Sequence, residues 1–260
     1  MYYQGTVNFG NREQKKETKK KKTENSLLKS CKCLKLKLLL SWGVFASINR
    51  ESHNTVFLAD NSCSSIKKFF PAAESGNYDI DPDREGGLAA FTVYCDMTEK
   101  NGVGVTVISH DSESTTKVRD GLGWGGRGSY RRDIHYTGAS LSQLASLTSV
   151  SLHCEQFIKY ECYHSMLGGY AWWVSRDSFK MTYWGGALPG SGKCACGMNN
   201  TCANPKQGCN CNKNDFVWRE DSGLLTDKTK LPVKRLVHAD AGNSNQGYHT
   251  LGKLKCYGIA

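Results

Sequence analysis

The chain has 260 residues, 39% of them hydrophobic and 10% aromatic, enough for a real core in one good-sized domain or two small ones. Its formal charge of +10 is concentrated at one end: residues 1–62 hold 12 Lys and Arg against 5 Asp and Glu, a net of +7, which leaves +3 for residues 63–260. A folded part so near neutrality gives little support to nucleic-acid or acidic-lipid binding by the whole protein, and no nucleic-acid partner is expected.

Residues 1–62 read as a basic, poorly structured N-terminal segment. Within it "NREQKKETKKKKTEN" (11–25) is a charge run without apolar periodicity, which reads as disordered. A nuclear or RNA-binding role for "KKKK" finds no interleaved aromatic residue to stack on a base. The apolar stretch Leu38–Ile48 follows lysines and precedes small residues, like the core of a secretory signal, although it lies far from residue 1. It is too short to span a bilayer, so membrane association is expected only through this stretch or through a longer parent chain.

From Cys63 the texture changes to short apolar runs, frequent glycine and spaced cysteines, and 63–258 reads as the folded domain. "AAFTVYCDM" (89–97) and "GVGVTVISH" (102–110) are β-rich, and the "TEKNG" between them contains the Asn-Gly of a hairpin turn. A helix is expected around Leu141–Leu147, with Ser140 or Ser142 near its start. "GYAWWVSRDSFKMTYWGG" (169–186) alternates enough for two buried strands, "LPVKRLVHAD" (231–240) gives another, and "LGKLKCYG" (251–258) the last. Many short strands with few helices predict an α+β fold, mainly antiparallel sheet with long loops.

Ten cysteines lie in this part: Cys63, Cys95, Cys154, Cys162, Cys194, Cys196, Cys202, Cys209, Cys211 and Cys256. An even number suits a fully paired secreted domain. Five of them, Cys194 to Cys211, are spaced C-x-C, x5, C, x6, C-x-C. A zinc site built on C-x2-C pairs has no such pair anywhere in the chain, and no histidine lies between His164 and His238. No metal or cofactor is therefore expected. Cysteines one residue apart bond each other poorly, so a bridge is expected to cross from the first C-x-C to the second. The fifth cysteine of the cluster would pair outside it, with Cys256 or one of Cys154 and Cys162. Cys63 with Cys95 and Cys154 with Cys162 are the other pairs suggested. "NNT" at Asn199–Thr201 is an N-glycosylation sequon on the same loop. Disulfides and sequon together predict an extracellular or cell-surface setting.

The segment "CSSIKKFFPAAESGNYDIDPDREGGLAAFTVYCDM" resembles the opening of fibrinogen-like C-terminal domains. "HCEQFIKYEC", "WWVSRDSFKMTYWGG", "LKCYG" and the cysteine cluster followed by "VWREDSGLLTDKTKLPV" are similar to the fibrinogen-like segment of contactin-associated proteins, the neurexin IV group. The resemblance spans roughly residues 63 to 258 and implies the fibrinogen C-terminal-like fold. The aspartate-rich calcium loop of fibrinogen-like lectins has no counterpart in "DFVWREDSGLLTDKTK", so neither calcium nor an acetyl-group pocket carries over.

Catalytic signatures are missing: there is no G-x-S-x-G, H-E-x-x-H or Walker loop, and "GWGGRG" (123–128) reads as a turn. Asp79, Asp81 and Asp83 alternate and could share one strand face, with a cation site weighed against a structural turn. Trp172, Trp173 and Trp184 could form a sugar-stacking platform or be buried aromatics. His238 beside Asp240 reads as an ordinary loop contact. The expected function is a non-catalytic extracellular binding or adhesion module for a protein or glycan partner, its surface on the loops between Gly185 and Trp218. A soluble lectin-like defence protein is the alternative, and a structural spacer without a partner the third reading.

Overall fold

The structure, a computed structural model, describes residues 59–84, 86–119, 129–242 and 244–260. The basic run, Leu38–Ile48 and the glycine-rich 123–128 lie outside the described residues.

Helix α1 (Cys63–Phe69) starts on Ser62, whose side chain accepts from Ser65 N, and strands β1 (Gly76–Ile80), β2 (Phe91–Asp96) and β3 (Val105–Ile108) follow. β2 and β3 pair antiparallel, joined through the short helical segment α2 (Glu99–Gly102). Lys100, Asn101 and Gly102 there take φ of 54°, 61° and 75°. Asparagine and glycine tolerate that left-handed region, which is why Asn-Gly could be read as a turn. After β4 (Thr116–Lys117) and β5 (Tyr130–Asp133) comes helix α3 (Leu141–Val150). Ser140 caps it: its hydroxyl accepts from Gln143 N, while the Gln143 side chain accepts from Ser140 N.

The long strand β6 (Ser151–Tyr163) turns Cys154, Gln156, Ile158, Tyr160 and Cys162 inward, with Phe157, Lys159 and Glu161 on the opposite face. β7 (Trp172–Val174) and β8 (Lys180–Met181) are short, and of the two only β7 carries a fully buried side chain, Trp173. Helix α4 (Ala195–Met198) and a 3-10 turn at Cys211–Lys213 lie in the cysteine-rich loop. Strands β9 (Arg219–Leu225), β10 (Arg235–His238) and β11 (Gln246–Ile259) complete the chain.

Two sheets result. The larger runs β1-β2-β3-β11-β6-β9, with β4 also on β11, and the smaller runs β5-β10-β7-β8; all its strand pairs and those of the larger sheet are antiparallel. β6 and β11 form the central ladder, with a shift of register between Leu251 and Leu254. Gln156, fully buried, bridges that irregularity to the stretch before β10: its Oε1 accepts from Val233 N at 3.0 Å and its Nε2 donates to Gly252 O at 3.0 Å. The core between the elements is built on Trp173, Tyr160, Tyr183, Ile158, Leu236, Leu251 and Leu254. This is an α+β fold of the fibrinogen C-terminal-like class, mostly antiparallel with long stapled loops.

Candidate functional site

All ten cysteines of the domain are paired, as Cys63–Cys95, Cys154–Cys256, Cys162–Cys211, Cys194–Cys209 and Cys196–Cys202. Cys194–Cys209 crosses from the first C-x-C to the second. Cys211 leaves the cluster to reach Cys162 on β6. The suggested Cys154–Cys162 pair is corrected: both residues point inward from one strand, eight residues apart. At about 3.3 Å per residue that is roughly 26 Å, far beyond disulfide reach. Cys154 instead bonds Cys256 directly opposite on β11. Cys194 Sγ, Cys209 Sγ and a carboxylate oxygen of Asp221 lie within 4.8 Å of one another, but the two sulfurs are bonded together and are not thiolate ligands.

The knotted loop covers the edge strand β9, an edge that otherwise presents unpaired backbone groups. Gly186 N donates to Leu224 O at 2.8 Å, Asn210 Nδ2 to Glu220 O at 3.0 Å, and Trp184 Nε1 to Asp221 O at 3.1 Å. The Asp221 carboxylate, buried at 3% exposure, accepts from Asn210 N and Cys211 N, each at 2.9 Å. Burial pushes its pKa up to about 6 against the opposing pull of those two amides. The loop is thus a lid on the sheet edge, held by sulfur and by one acid.

Where the loop returns to the sheet, it presents rings. Phe216, Val217 and Trp218 are 59%, 52% and 50% exposed. Trp218 lies 5.5 Å from Tyr163, at the end of β6, and 5.8 Å from Tyr248 on β11; Phe216 lies 5.8 Å from Tyr163 and stacks on His164 at 4.0 Å. Lys117 Nζ stands 5.9 Å over the Tyr248 ring. These apolar rings are pinned on both sides. The Cys162–Cys211 bridge fixes the chain before them. Immediately beside them Arg219 grips Asp215 bidentately, Nε to Oδ1 at 2.8 Å and Nη2 to Oδ2 at 2.7 Å. That guanidinium, with Lys213, holds the Asp215 carboxyl down to about 2. Farther along the same outer sheet face, Phe157 and Leu224 flank a shallow depression of about 250 Å³, rimmed by Lys253, Lys255 and Glu155.

The other residues singled out from the sequence fall elsewhere. β1 ends at Ile80, so Asp79, Asp81 and Asp83 do not share a strand face. Asp79 accepts from Thr92 Oγ1, and Asp83 accepts from Leu88 N in the following turn. Trp173 and Trp184 are core residues, and Trp172 carries Lys180 Nζ 3.9 Å over its ring, so the three make no platform. His238 is no loop residue; it is fully buried on β10. Asn199, the sequon residue, is exposed at the end of α4. The cluster around Trp218 escaped sequence reading because its partners, Tyr163 and Tyr248, are 55 and 30 residues away in the chain and meet only through the sheet.

A disulfide-stapled antiparallel domain whose knotted loop seals a sheet edge and displays aromatic rings belongs to the class of extracellular fibrinogen-like domains. The model of the fibrillar collagen C-terminal domain matches residues 55–253, and the chain belongs to that family. Contactin-associated protein 1 is 41% identical in Mus musculus and 40% in Homo sapiens, each over 191 residues that make up 71% of this chain and 13% of the relative. Neurexin-4 of Drosophila melanogaster is 35% identical over 210 residues, 76% of this chain and 16% of that protein. The chain therefore spans less than a fifth of the length of these relatives. Five disulfides, with these relatives, place the domain outside the cell or on its surface.

Proposed function

We propose that the domain is a non-catalytic adhesion module that recognises a protein or glycan partner through the loop between Gly185 and Trp218. The observation that carries this reading is the ring cluster in which exposed Phe216 and Trp218 pack on half-buried Tyr163 and Tyr248, immobilised by a disulfide and a bidentate ion pair. Exposed aromatics on a rigid frame bury large area at little entropic cost, and Trp and Tyr dominate the energetics of protein interfaces. Asn199 carries an N-linked glycan in this reading, and nucleic acid is not a partner.

The reading is tested by multimerising the secreted domain and measuring its binding to intact cells, with and without Phe216→Ser and Trp218→Ser. Binding that falls at least tenfold in the double variant supports the assignment; unchanged binding sinks it. Treating the cells with protease or with glycosidases then separates a protein partner from a glycan.

A further inference from the structure

The two sheets touch through a pair of imidazoles. His238 on β10, in the small sheet, and His249 on β11, in the large one, lie parallel with centroids 5.8 Å apart and an interplanar angle of 7°. Both are 0% exposed. Tyr160 of β6, directly opposite His249 in the ladder, also stacks on His238 at 4.6 Å, Trp184 meets it edge-on at 6.0 Å, and Tyr130 of β5 leans on both imidazoles. His238 of the small sheet thus stacks against both Tyr160 and His249 of the large one.

Its polar atoms are poorly served. Among the described residues neither His238 Nδ1 nor Nε2 has a hydrogen-bond partner, and His249 Nδ1 has none, while His249 Nε2 is bonded to Tyr130 Oη at 2.8 Å. The charged groups nearby do not favour a second proton. Asp240 uses its carboxylate on Met166 N and Asn245 Nδ2, and Asp221 uses its own on Asn210 N and Cys211 N. Arg132 of β5 opposes a positive charge on His249, and His249 opposes one on His238. Tyr160 donates or accepts only with Ser165 Oγ. A neutral pair packs here as two aromatic rings. A protonated pair places two cations with ring centroids 5.8 Å apart in a buried seam, and no carboxylate among the described residues is hydrogen-bonded to either.

We propose that the His238–His249 stack is an acid-sensitive clasp between the two sheets, closed at extracellular pH and opened by protonation. It goes beyond the binding role and is independent of it, since Phe216 and Trp218 take no part in the stack. Burial holds both imidazoles below their ordinary value, His249 at about 4. The folded state therefore binds fewer protons than the unfolded chain below pH 6.5. Stability is full above that value and falls as the pH drops through the window from 6.5 toward the folded values. Each histidine raises the opening or unfolding constant by a factor that approaches ten per pH unit below 6.5, and with the gradual onset at 6.5 the pair raises it by about 200-fold between pH 6.5 and 5.0. Asp221, raised to about 6, offsets part of this loss within the same window, whereas the depressed carboxylates act below it. Asp215 lies near 2, and Asp111 and Asp133 are held below the ordinary carboxylate value, so they act at lower pH. His110 adds a dependence of the same sign, because burial lowers its pKa against the opposing pull of its bond to Gly252 O.

The test is amide hydrogen exchange on the full secreted chain at pH 7.4 and 5.5, corrected for the intrinsic rate, in the natural protein and in the His238→Phe/His249→Phe variant. The expected result is that Leu236 and Val237 of β10 lose protection by tenfold or more in the natural protein and keep it in the variant. Protection that is unchanged by acid, or lost equally in the variant, overturns the clasp. If the variant does not fold, the imidazole resonances of the natural protein decide. Assigned resonances of both His238 and His249 titrating well below 6.5 support the proposal, and either of them titrating near 6.5 contradicts it.

Discussion

Gly185 and Gly223 lie backbone against backbone, one in the knotted loop and the other in the edge strand β9: a Cβ on Gly185 would sit 2.3 Å from Gly223 O, and one on Gly223 2.6 Å from Gly185 C. The contact lets Gly186 N reach Leu224 O and brings the loop flush with the sheet. Gly197 and Gly208 repeat it within the loop, where a Cβ on Gly197 would lie 2.3 Å from Gly208 O. Backbone cannot give way as a side-chain tip can. Gly185→Ala is expected to cost about 2–4 kcal/mol of stability, read as a lower denaturant midpoint, whereas alanine at Gly190, which meets nothing within 4 Å, is expected to cost far less despite its φ of 76°.

The five bridges are not equivalent. In the chain-entropy account, Cys196–Cys202 closes only 6 residues and contributes about 2 kcal/mol, while Cys162–Cys211 closes 49 and contributes about 4. Replacing Cys162 and Cys211 together by serine is expected to lower the unfolding midpoint more than replacing Cys196 and Cys202. It is also expected to free Phe216–Trp218, visible as a shorter-lived, less anisotropic Trp218 fluorescence against a background with the other tryptophans replaced.

Asp221 titrates in the opposite sense to the buried histidines. Its folded pKa of about 6 stands above the ordinary value of 3.8, so this group favours the fold increasingly as pH falls from about 6 toward 3.8 and opposes it above. The span corresponds to about 3 kcal/mol. Asp221→Asn removes the titration, and the stability difference between natural protein and variant is expected to shift in favour of the natural protein on going from pH 7 to 4. A difference that stays constant over that range contradicts the assignment.

Gln156 offers a test of the core that needs no change of charge. Leucine there leaves Val233 N without its acceptor in a fully buried place and leaves Gly252 O with His110 Nε2 as its donor. The expected loss is about 1–3 kcal/mol by thermal or denaturant unfolding, although the substitution is larger in apolar area and close in volume.

Local signals were legible in the sequence and long-range ones were not. The Asn101–Gly102 turn, the Ser140 cap with Gln143 three residues on, and the alternation through Cys256 are contacts between near neighbours, so their chemistry is written in short windows. The thirteen residues of β6 give no clean strand pattern because its outer face mixes Phe157, Lys159 and Glu161, and Ser222 and Gly223 lower the β character of β9. The C-x-C rule gave the crossing bridge, but Cys154 and Cys162 look adjacent only in sequence; an extended strand carries them apart. His238 looked like a loop residue because Asp240 follows it, while the partner that matters, His249, comes from another sheet. The family resemblance supplied the fold, and only the assembled sheet shows which aromatics remain in solvent.

The most direct measurement is a peptide map of the secreted, unreduced protein by mass spectrometry, with free thiols blocked before digestion. The account predicts linked peptides for Cys162–Cys211, Cys194–Cys209 and Cys196–Cys202, together with Cys63–Cys95 and Cys154–Cys256, and no blocked thiol among these ten. Recovery of Cys211 linked within the cluster, or of blocked thiols at Cys162 and Cys211, would contradict it, because the loop would then no longer be tied to β6 and the rings at Phe216 and Trp218 would lose the frame that makes them a surface.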